Sequence, residues 1–219
     1  MKQAIIQSIL DEKIIVILRG VEREMLIPLT EALYRGGIRL LELTYSANGA
    51  ISDEETADRI AMLSRHWAGR MMIGAGTVLT EKQVELTANA KGGFIISPDT
   101  NEAVIRRTAE LDLVSIPGAL TPSEITAAHR AGADFVKLFP VTDLGSTYVK
   151  NVRAPLAHIR MLAVGGINTQ NMSEYLSAGA CGFGIGSNIV NKKLIENGDF
   201  AGVSALAKRF VVAWQEANK

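Results

Sequence analysis

Three features of the sequence predict an α/β protein folded as one closed (β/α)8 TIM barrel, a single domain spanning residues 1–219. Eight short apolar segments alternate with amphipathic segments of helical periodicity. Most of the apolar segments are continuous rather than alternating, which is typical of parallel strands buried on both faces. No linker or low-complexity stretch divides the chain. Because eight strand–helix units are the number that closes this barrel, an open doubly wound sheet is only the alternative fold.

The elements follow one another as strand, loop and helix. The predicted strands begin near Ile14, Leu40, Met71, Phe94, Leu113, Phe135, Arg160 and Gly182. Helical patterns are recognised at residues 25–34, 54–67, 81–90, 102–110, 122–131, 170–178 and about 200–216. Glycine follows several of these patterns, as expected at helix C-termini, and Thr121 with Pro122 and Glu124 forms a helix start. Residues 1–11 are expected to form a short extra helix that closes the bottom of the barrel.

Composition and charge exclude several classes of function. The numbers of basic and acidic residues are equal, 23 each, and no basic block indicates a nucleic-acid partner. The N-terminus lacks a signal-peptide pattern and no apolar run is long enough to span a membrane. A single cysteine, Cys181, fits a reducing compartment, so a cytoplasmic location is expected. His66, His129 and His158 stand apart in the sequence, and no metal or other cofactor is predicted.

A lysine lies in the middle of the sixth predicted strand, Phe135-Val136-Lys137-Leu138-Phe139-Pro140. Side chains alternate along a strand, so Phe135, Lys137 and Phe139 share one side. Burial between aromatic rings disfavours the charged ammonium and lowers the pKa of lysine. A neutral amine is the form that attacks a ketone. The alternative is a lysine that extends to water from a strand end.

Glu42 is the second ionisable residue in the centre of an apolar strand, within Leu40-Leu41-Glu42-Leu43-Thr44. A buried carboxylate and a buried amine are each costly alone, but both are tolerated around a shared aqueous pocket. A purely structural ion pair is the other interpretation. The pattern therefore predicts a Schiff-base lysine, Lys137, with Glu42 as the group that moves protons.

Further candidate residues follow the predicted strands at their carboxyl ends, where active sites of this fold lie. Arg19 follows the first strand and suits a substrate carboxylate or hydroxyl group, and Thr77 lies in the glycine-rich loop after the third. Two glycine-rich turns, Gly165-Gly166 and Gly186-Ser187, follow the last two strands. Their amides, with a short helix beginning after Ser187, are expected to bind a phosphate. Together these residues predict carbon–carbon cleavage of a phosphorylated keto-sugar acid.

These motifs resemble the family of 2-keto-3-deoxy-6-phosphogluconate aldolases, which are class I pyruvate aldolases on a (β/α)8 barrel. The matching segments are residues 17–20, 41–44, 74–78, 96–98, 116–118, 135–140, 165–167 and 186–187. The resemblance implies that Lys137 forms the Schiff base, that Glu42 transfers protons and that Thr77 contacts the pyruvyl part. It also implies that Pro98 and Phe139 line that part, that Gly165, Gly166, Gly186 and Ser187 bind the phosphate, and that the protein is a homotrimer without a metal.

The sequence departs from the gluconate-type pattern at two positions. Ser46 stands where those enzymes carry an arginine for the substrate carboxylate, and Val164 stands where they carry a threonine. The branch that acts on 2-keto-3-deoxy-6-phosphogalactonate is more similar, since it also has an arginine matching Arg19 and a valine before the Gly-Gly turn. We therefore interpret Arg19 as the substitute carboxylate anchor and expect galactonate-type or dual specificity.

Other functions remain open at this point. An aldolase for unphosphorylated 4-hydroxy-2-oxoglutarate would use the same lysine without the phosphate site. A phosphosugar isomerase or epimerase on the same barrel would use Glu42 as base and Lys137 only electrostatically. A sugar-phosphate sensor would keep the barrel without turnover. The acidic run Asp53-Glu54-Glu55 is assigned only to the dipole of the helix that it opens.

Overall fold

The computed structural model describes residues 2–217, which form one barrel of parallel strands surrounded by helices. The strands are β1 Ile14–Leu18, β2 Leu40–Thr44, β3 Met72–Gly76, β4 Phe94–Ile96, β5 Val114–Ile116, β6 Gly118–Ala119, β7 Val136–Leu138, β8 Met161–Val164 and β9 Gly182–Ile185. The helices are α1 Lys2–Glu12, α2 Arg23–Arg35, α3 Asp53–His66, α4 Glu81–Asn89, α5 Glu102–Glu110, α6 Pro122–Ala131, α7 Gly145–Arg153, α8 Met172–Ser177, α9 Lys192–Glu196 and α10 Phe200–Ala217. The predicted (β/α)8 fold is confirmed.

The barrel has eight strand positions, although residues 2–217 contain nine strand segments. The sheet runs in the order β5-β4-β3-β2-β1-β9-β8-β7-β6, and all of its pairs are parallel. Segments β5 and β6 flank Pro117, so the prediction of one continuous fifth strand is wrong. Proline has no N–H to donate to a neighbouring strand, which interrupts the ladder there. The Pro117 carbonyl still accepts from the Lys137 N–H at 2.8 Å and helps to close the barrel.

The first helix closes the amino-terminal end of the barrel, as predicted. Ile5, Ile6 and Ile9 of α1 are buried in one cluster with inward side chains of the strands, including Phe94 and Phe135. The predicted helix began at Met1, which lies outside the described residues. An ion pair between Lys2 and Asp134, 2.9 Å long and largely shielded from water, joins α1 to the segment before β7.

Strand parity places the side chains as the sequence predicts. Phe135 belongs to the interior cluster, whereas Val136 and Leu138 pack in the outer cluster between strands and helices. Leu40 is likewise interior and Leu41 exterior. Because side chains alternate, Lys137 and Glu42 point into the barrel above these apolar layers. The structure thus places both ionisable residues on the inside.

Two helices are absent from the predicted set, and one expected helix has a different form. The helices α7 and α9 bury only two and one of their residues. After Gly186 the chain makes a single hydrogen-bonded turn, in which the Ile189 and Val190 N–H groups donate to the Gly186 carbonyl. The short helix expected directly after Ser187 is therefore wrong, because α9 starts only at Lys192. Within residues 2–217, none of the helices combines the length and the apolar composition that crossing a membrane requires.

Candidate active site

Lys137 occupies the centre of β7 and faces the barrel interior. Its side chain is only 6% exposed. Its Nζ lies 4.7 Å from the centroid of the Phe139 ring, which follows the strand at the barrel mouth. Burial is the main cause that holds the pKa of Lys137 below its ordinary value, and the positive charge of Arg19 acts in the same direction. The nearby Glu42 opposes this shift but does not reverse it.

Glu42, in the middle of β2, is 1% exposed and faces the same interior. Burial raises the pKa of its carboxyl group, while the charges of Lys137 and Arg19 partly counter the shift. Among residues 2–217, no direct ion pair joins Glu42 to Lys137. Both shifts favour the neutral form of the group, so the site favours an uncharged amine together with an uncharged carboxyl group.

A glycine on the neighbouring strand makes room for the Glu42 side chain. A Cβ placed at Gly76 would lie 2.5 Å from the Cγ of Glu42 and closer still to the carboxyl group. At Gly118 on β6, a Cβ would lie 2.9 Å from the Ser97 carbonyl oxygen and would overlap the carbonyl of Pro98. Sequence reasoning did not assign these roles, although glycine inside a strand is the usual signal of such a close approach.

Arg19 and Thr77 meet at the mouth of the barrel, above Glu42. The Nη2 of Arg19 donates to the Thr77 Oγ1 at 3.4 Å. Thr77 has a φ of 56°, a left-handed conformation that is strained for a β-branched residue. Such strain persists only where surrounding contacts maintain it, and it is concentrated at functional sites.

Arg19 also borders two surface cavities, of about 330 and 440 Å³. The larger cavity extends along the loop after β2, where Ser46 donates to the Asn48 Oδ1 at 2.8 Å. Ser46 is thus engaged within its own loop, and Arg19 is the cationic residue that lines the larger cavity.

The two glycine-rich turns lie side by side at the ends of β8 and β9. Asn188 joins them by donating from its Nδ2 to the Ile167 carbonyl at 2.7 Å. Gly165 and Gly166 have φ values of 104° and 70°, which explains the glycines at these positions. Within residues 2–217, none of the backbone N–H groups of Gly165, Gly166, Gly186 and Ser187 donates to a protein acceptor. Such a set of free amides is suited to an oxyanion ligand.

Val164 also points toward this end of the barrel. It is buried, and its Cγ2 would be 2.9 Å from a Cβ placed at Gly184. The side chain has no hydrogen-bonding atom, so this inward position offers only apolar contact to a ligand. The sequence difference at this residue therefore lies on the interior wall of the barrel.

The histidines do not build a metal site in the part of the chain that the structure describes. The residues 2–217 contain no group of three or more metal-ligating side chains close enough to hold an ion. His129 and His158 are not isolated, however, because their rings pack edge to face with centroids 5.3 Å apart. The fold thus brings together two exposed histidines that stand apart in the sequence.

Comparisons with known proteins agree with this geometry. A family model described as "KDPG and KHG aldolase" matches residues 5–206. A "Probable 2-dehydro-3-deoxy-6-phosphogalactonate aldolase" from Rhizobium meliloti is 36% identical over 181 residues, which are 82% of each chain. A solved structure described as "Native KDPGal structure" is 30% identical, with a TM-score of 0.83 over 93% of this chain and 95% of that one.

A second solved structure contains a covalent reaction intermediate. It is the KDPG aldolase from Legionella pneumophila "with pyruvate captured at low pH as a covalent carbinolamine intermediate". It is 27% identical, with a TM-score of 0.82 over 95% of this chain and 97% of that one. The family model covers most of the chain and the relatives align over nearly the whole barrel. The chain therefore belongs to the KDPG and KHG aldolase family.

Proposed function

We propose that this protein is a class I aldolase that cleaves a 2-keto-3-deoxy-6-phospho-sugar acid to pyruvate and glyceraldehyde 3-phosphate. The observation that carries the proposal is the pairing of a buried amine, whose pKa is lowered, with a buried carboxyl group, whose pKa is raised, inside one barrel. The free amine of Lys137 adds to the C2 carbonyl of the substrate and forms a carbinolamine. The Glu42 carboxyl group protonates the hydroxyl group, which leaves as water and yields the iminium ion.

The same carboxyl group completes the cleavage. As a carboxylate, Glu42 takes the proton of the C4 hydroxyl group while the C3–C4 bond breaks. The bonding electrons move into the iminium group, which gives an enamine on Lys137 and releases the aldehyde. Glu42 then gives that proton to C3, and it takes a proton from the water that hydrolyses the resulting iminium ion to pyruvate and the free lysine. Glu42 thus donates two protons and accepts two in each turnover, and no external base is required.

The remaining residues position the substrate. Arg19 and Thr77 bind the carboxylate end, since a guanidinium and a hydroxyl group both donate there. Pro98 and Phe139 line the pyruvyl part. The amides of the turns 165–166 and 186–187 bind the phosphate and set the distance between the two ends. The free N–H groups of these turns support the phosphate assignment.

The preferred substrate is proposed to be the galactonate-type epimer, or both epimers. Val164 supplies no hydrogen bond, so it does not bind one configuration of a substrate hydroxyl group more tightly than the other. Arg19 replaces the cation that Ser46 does not provide. Parallel kcat/KM measurements with the two phosphorylated epimers and with 4-hydroxy-2-oxoglutarate test this assignment. A kcat/KM more than about 100-fold higher for the gluconate-type epimer contradicts it, because Val164 has no group to form the hydrogen bond that such selectivity requires.

We also propose that the protein assembles as a homotrimer and is located in the cytoplasm. This proposal rests on the family resemblance and on the presence of a single cysteine. Light scattering on the eluting peak of a size-exclusion column measures the mass of the assembly. A monomeric or dimeric mass at micromolar concentration would refute the trimer.

The decisive experiment traps the imine. Wild-type protein is incubated with pyruvate and reduced with borohydride, and the modified peptide is identified by mass spectrometry. A stable adduct on Lys137 is expected, and Lys137→Met should show neither the adduct nor pyruvate release. Conversion of the substrate without an adduct on Lys137 would favour an isomerase or epimerase. Absence of pyruvate release with both epimers would favour a sensor. Either result refutes the aldolase.

A further inference from the structure

We propose that two buried residues outside the substrate cavity, Gln83 and Arg59, are positioning residues that hold the Arg19–Thr77 contact in place. Both are anchored by the first turn of α3, Asp53-Glu54-Glu55, here called the acidic turn. The inference rests on the proposed function, in which Arg19 and Thr77 bind the carboxylate end of the substrate. It goes further by assigning a role to residues that never touch the substrate.

Gln83 holds the loop that carries Thr77. It lies in α4 and is 9% exposed. Its Oε1 accepts from the Leu79 N–H at 2.8 Å, and its Nε2 donates to the Asp53 Oδ1 at 3.0 Å. Leu79 follows the strained Thr77 by two residues. Because a left-handed threonine relaxes when its loop is free, the Leu79 bond helps to maintain the strain, together with the bond from the Val78 N–H to the Ile96 carbonyl at 3.2 Å.

Arg59 holds the loop that carries Arg19. It lies in α3 and is as buried as Gln83. Its Nη1 donates to the Val21 carbonyl at 3.1 Å, two residues beyond Arg19, and its Nε donates to the Glu55 Oε1 at 2.9 Å. Glu55 also accepts from Arg23 at 2.9 Å, so it joins the start of α2 to α3.

The acidic turn is the element that the two arms share. One arm runs from Asp53 through Gln83 to the Thr77 loop, and the other runs from Glu55 through Arg59 to the Arg19 loop. The two loops then meet in the 3.4 Å contact between Arg19 and Thr77. The contacts form a closed ring, so the acidic turn does more than complement the helix dipole. The buried position of both connecting side chains favours one geometry for the ring.

The first test is a double-mutant cycle on pyruvate release. Gln83→Leu removes both side-chain hydrogen bonds of the residue, and we expect kcat/KM to fall about tenfold. If Gln83 acts through Thr77, the double variant Gln83→Leu/Thr77→Val should fall no more than about twofold below Thr77→Val alone. Multiplication of the two single effects would refute the proposal. The same cycle applies to Arg59→Met with Arg19→Met.

A conservative exchange provides a rescue. The double variant Gln83→Glu/Asp53→Asn swaps amide and acid, which keeps an acceptor for the Leu79 N–H and a donor–acceptor pair between positions 83 and 53. We expect it to recover kcat/KM to within about threefold of wild type, whereas Gln83→Glu alone faces Asp53 with like charge. A folded double variant that stays as poor as Gln83→Leu would overturn the assignment.

A second measurement separates this inference from the proposed function. Hydrogen–deuterium exchange of residues 77–80 should accelerate about tenfold in Gln83→Leu, whatever reaction the protein catalyses. The matched control is Thr87→Val, which removes a buried bond to the Gln83 carbonyl, 2.8 Å long, without touching the Leu79 amide. Unchanged exchange in Gln83→Leu, or equal acceleration in the control, would refute the positioning role. Absence of pyruvate release from wild type would instead refute the aldolase.

Discussion

Replacement of Gly76 by alanine should move the Glu42 carboxyl group without disturbing Lys137. The added Cβ would lie 2.5 Å from the Glu42 Cγ and closer still to the carboxyl group, whereas ordinary contact begins at 3.4 Å, so the side chain must retreat by at least about 1 Å. The backbone tolerates the change, because the φ of Gly76 is not among the positive values. Glu42 is buried on all sides and has little freedom to adjust.

Two magnitudes follow from this overlap. Overpacking of a buried site costs about 1–3 kcal/mol of stability. A displacement of about 1 Å in a proton-transfer group reduces kcat by about 100-fold, because proton transfer requires hydrogen-bond distance. We therefore expect a folded protein with a slightly lower Tm and a strongly reduced kcat.

The assay measures pyruvate release coupled to its reduction by NADH, with thermal unfolding recorded on the same sample. Gly74→Ala serves as the control, since a Cβ at this position of β3 would meet the Phe94 ring of β4 as its nearest neighbour. It should lose stability with a much smaller loss of kcat. A Gly76→Ala protein with kcat within about threefold of wild type would show that Glu42 does not transfer the proton from this position.

Three further predictions concern the phosphate turns, the pH dependence and the stability. Gly166→Ala should raise KM for the phosphorylated substrate about tenfold or more but leave borohydride trapping with pyruvate intact. The reason is that Gly166 has a φ of 70° and that a Cβ would come within 3.0 Å of the Thr142 Cγ2. An equal loss in both assays would contradict the phosphate role. Glu42→Gln should flatten the pH dependence of the free energy of unfolding above pH 4.5. The folded wild type binds the Glu42 proton more tightly than the unfolded chain, so it loses this stabilisation as pH rises through the raised pKa. Urea titrations from pH 4.5 to 8 in which the free energy of unfolding has the same slope against pH for both proteins would refute this assignment. Lys91→Gly should raise the free energy of unfolding by about 0.5–1 kcal/mol, because Lys91 follows the C-cap of α4 with a φ of 63°. The Gly92 N–H donates to the Thr87 carbonyl in the usual C-cap pattern. A lower Tm would show that no strain is relieved.

The interior positions of the two chemical groups were predictable from the sequence. Uniformly apolar strands and eight strand–helix units indicate the barrel, and strand alternation then directs Lys137 and Glu42 inward with their apolar neighbours. These are local rules, so they hold before any long-range contact is known. The break in the fifth strand at Pro117 was not predicted, because the segment remains apolar on both sides of the proline. Only the pairing of β5 with β4 and of β6 with β7 shows that the ladder stops there.

Long-range contacts decided the rest. The Arg19–Thr77 contact joins residues 58 apart, and Gln83 reaches Asp53 across 30 residues. Spacing along the chain carries no information about such pairs, because they depend on how loops of different strands converge at one end of the barrel. The sequence by itself thus determined the fold class, the inward lysine and glutamate, and the glycine-rich turns. Only the tertiary structure decided the room that Gly76 leaves for Glu42, the strain at Thr77 and the ring of contacts through the acidic turn, since each arises where separate strands and loops pack against one another.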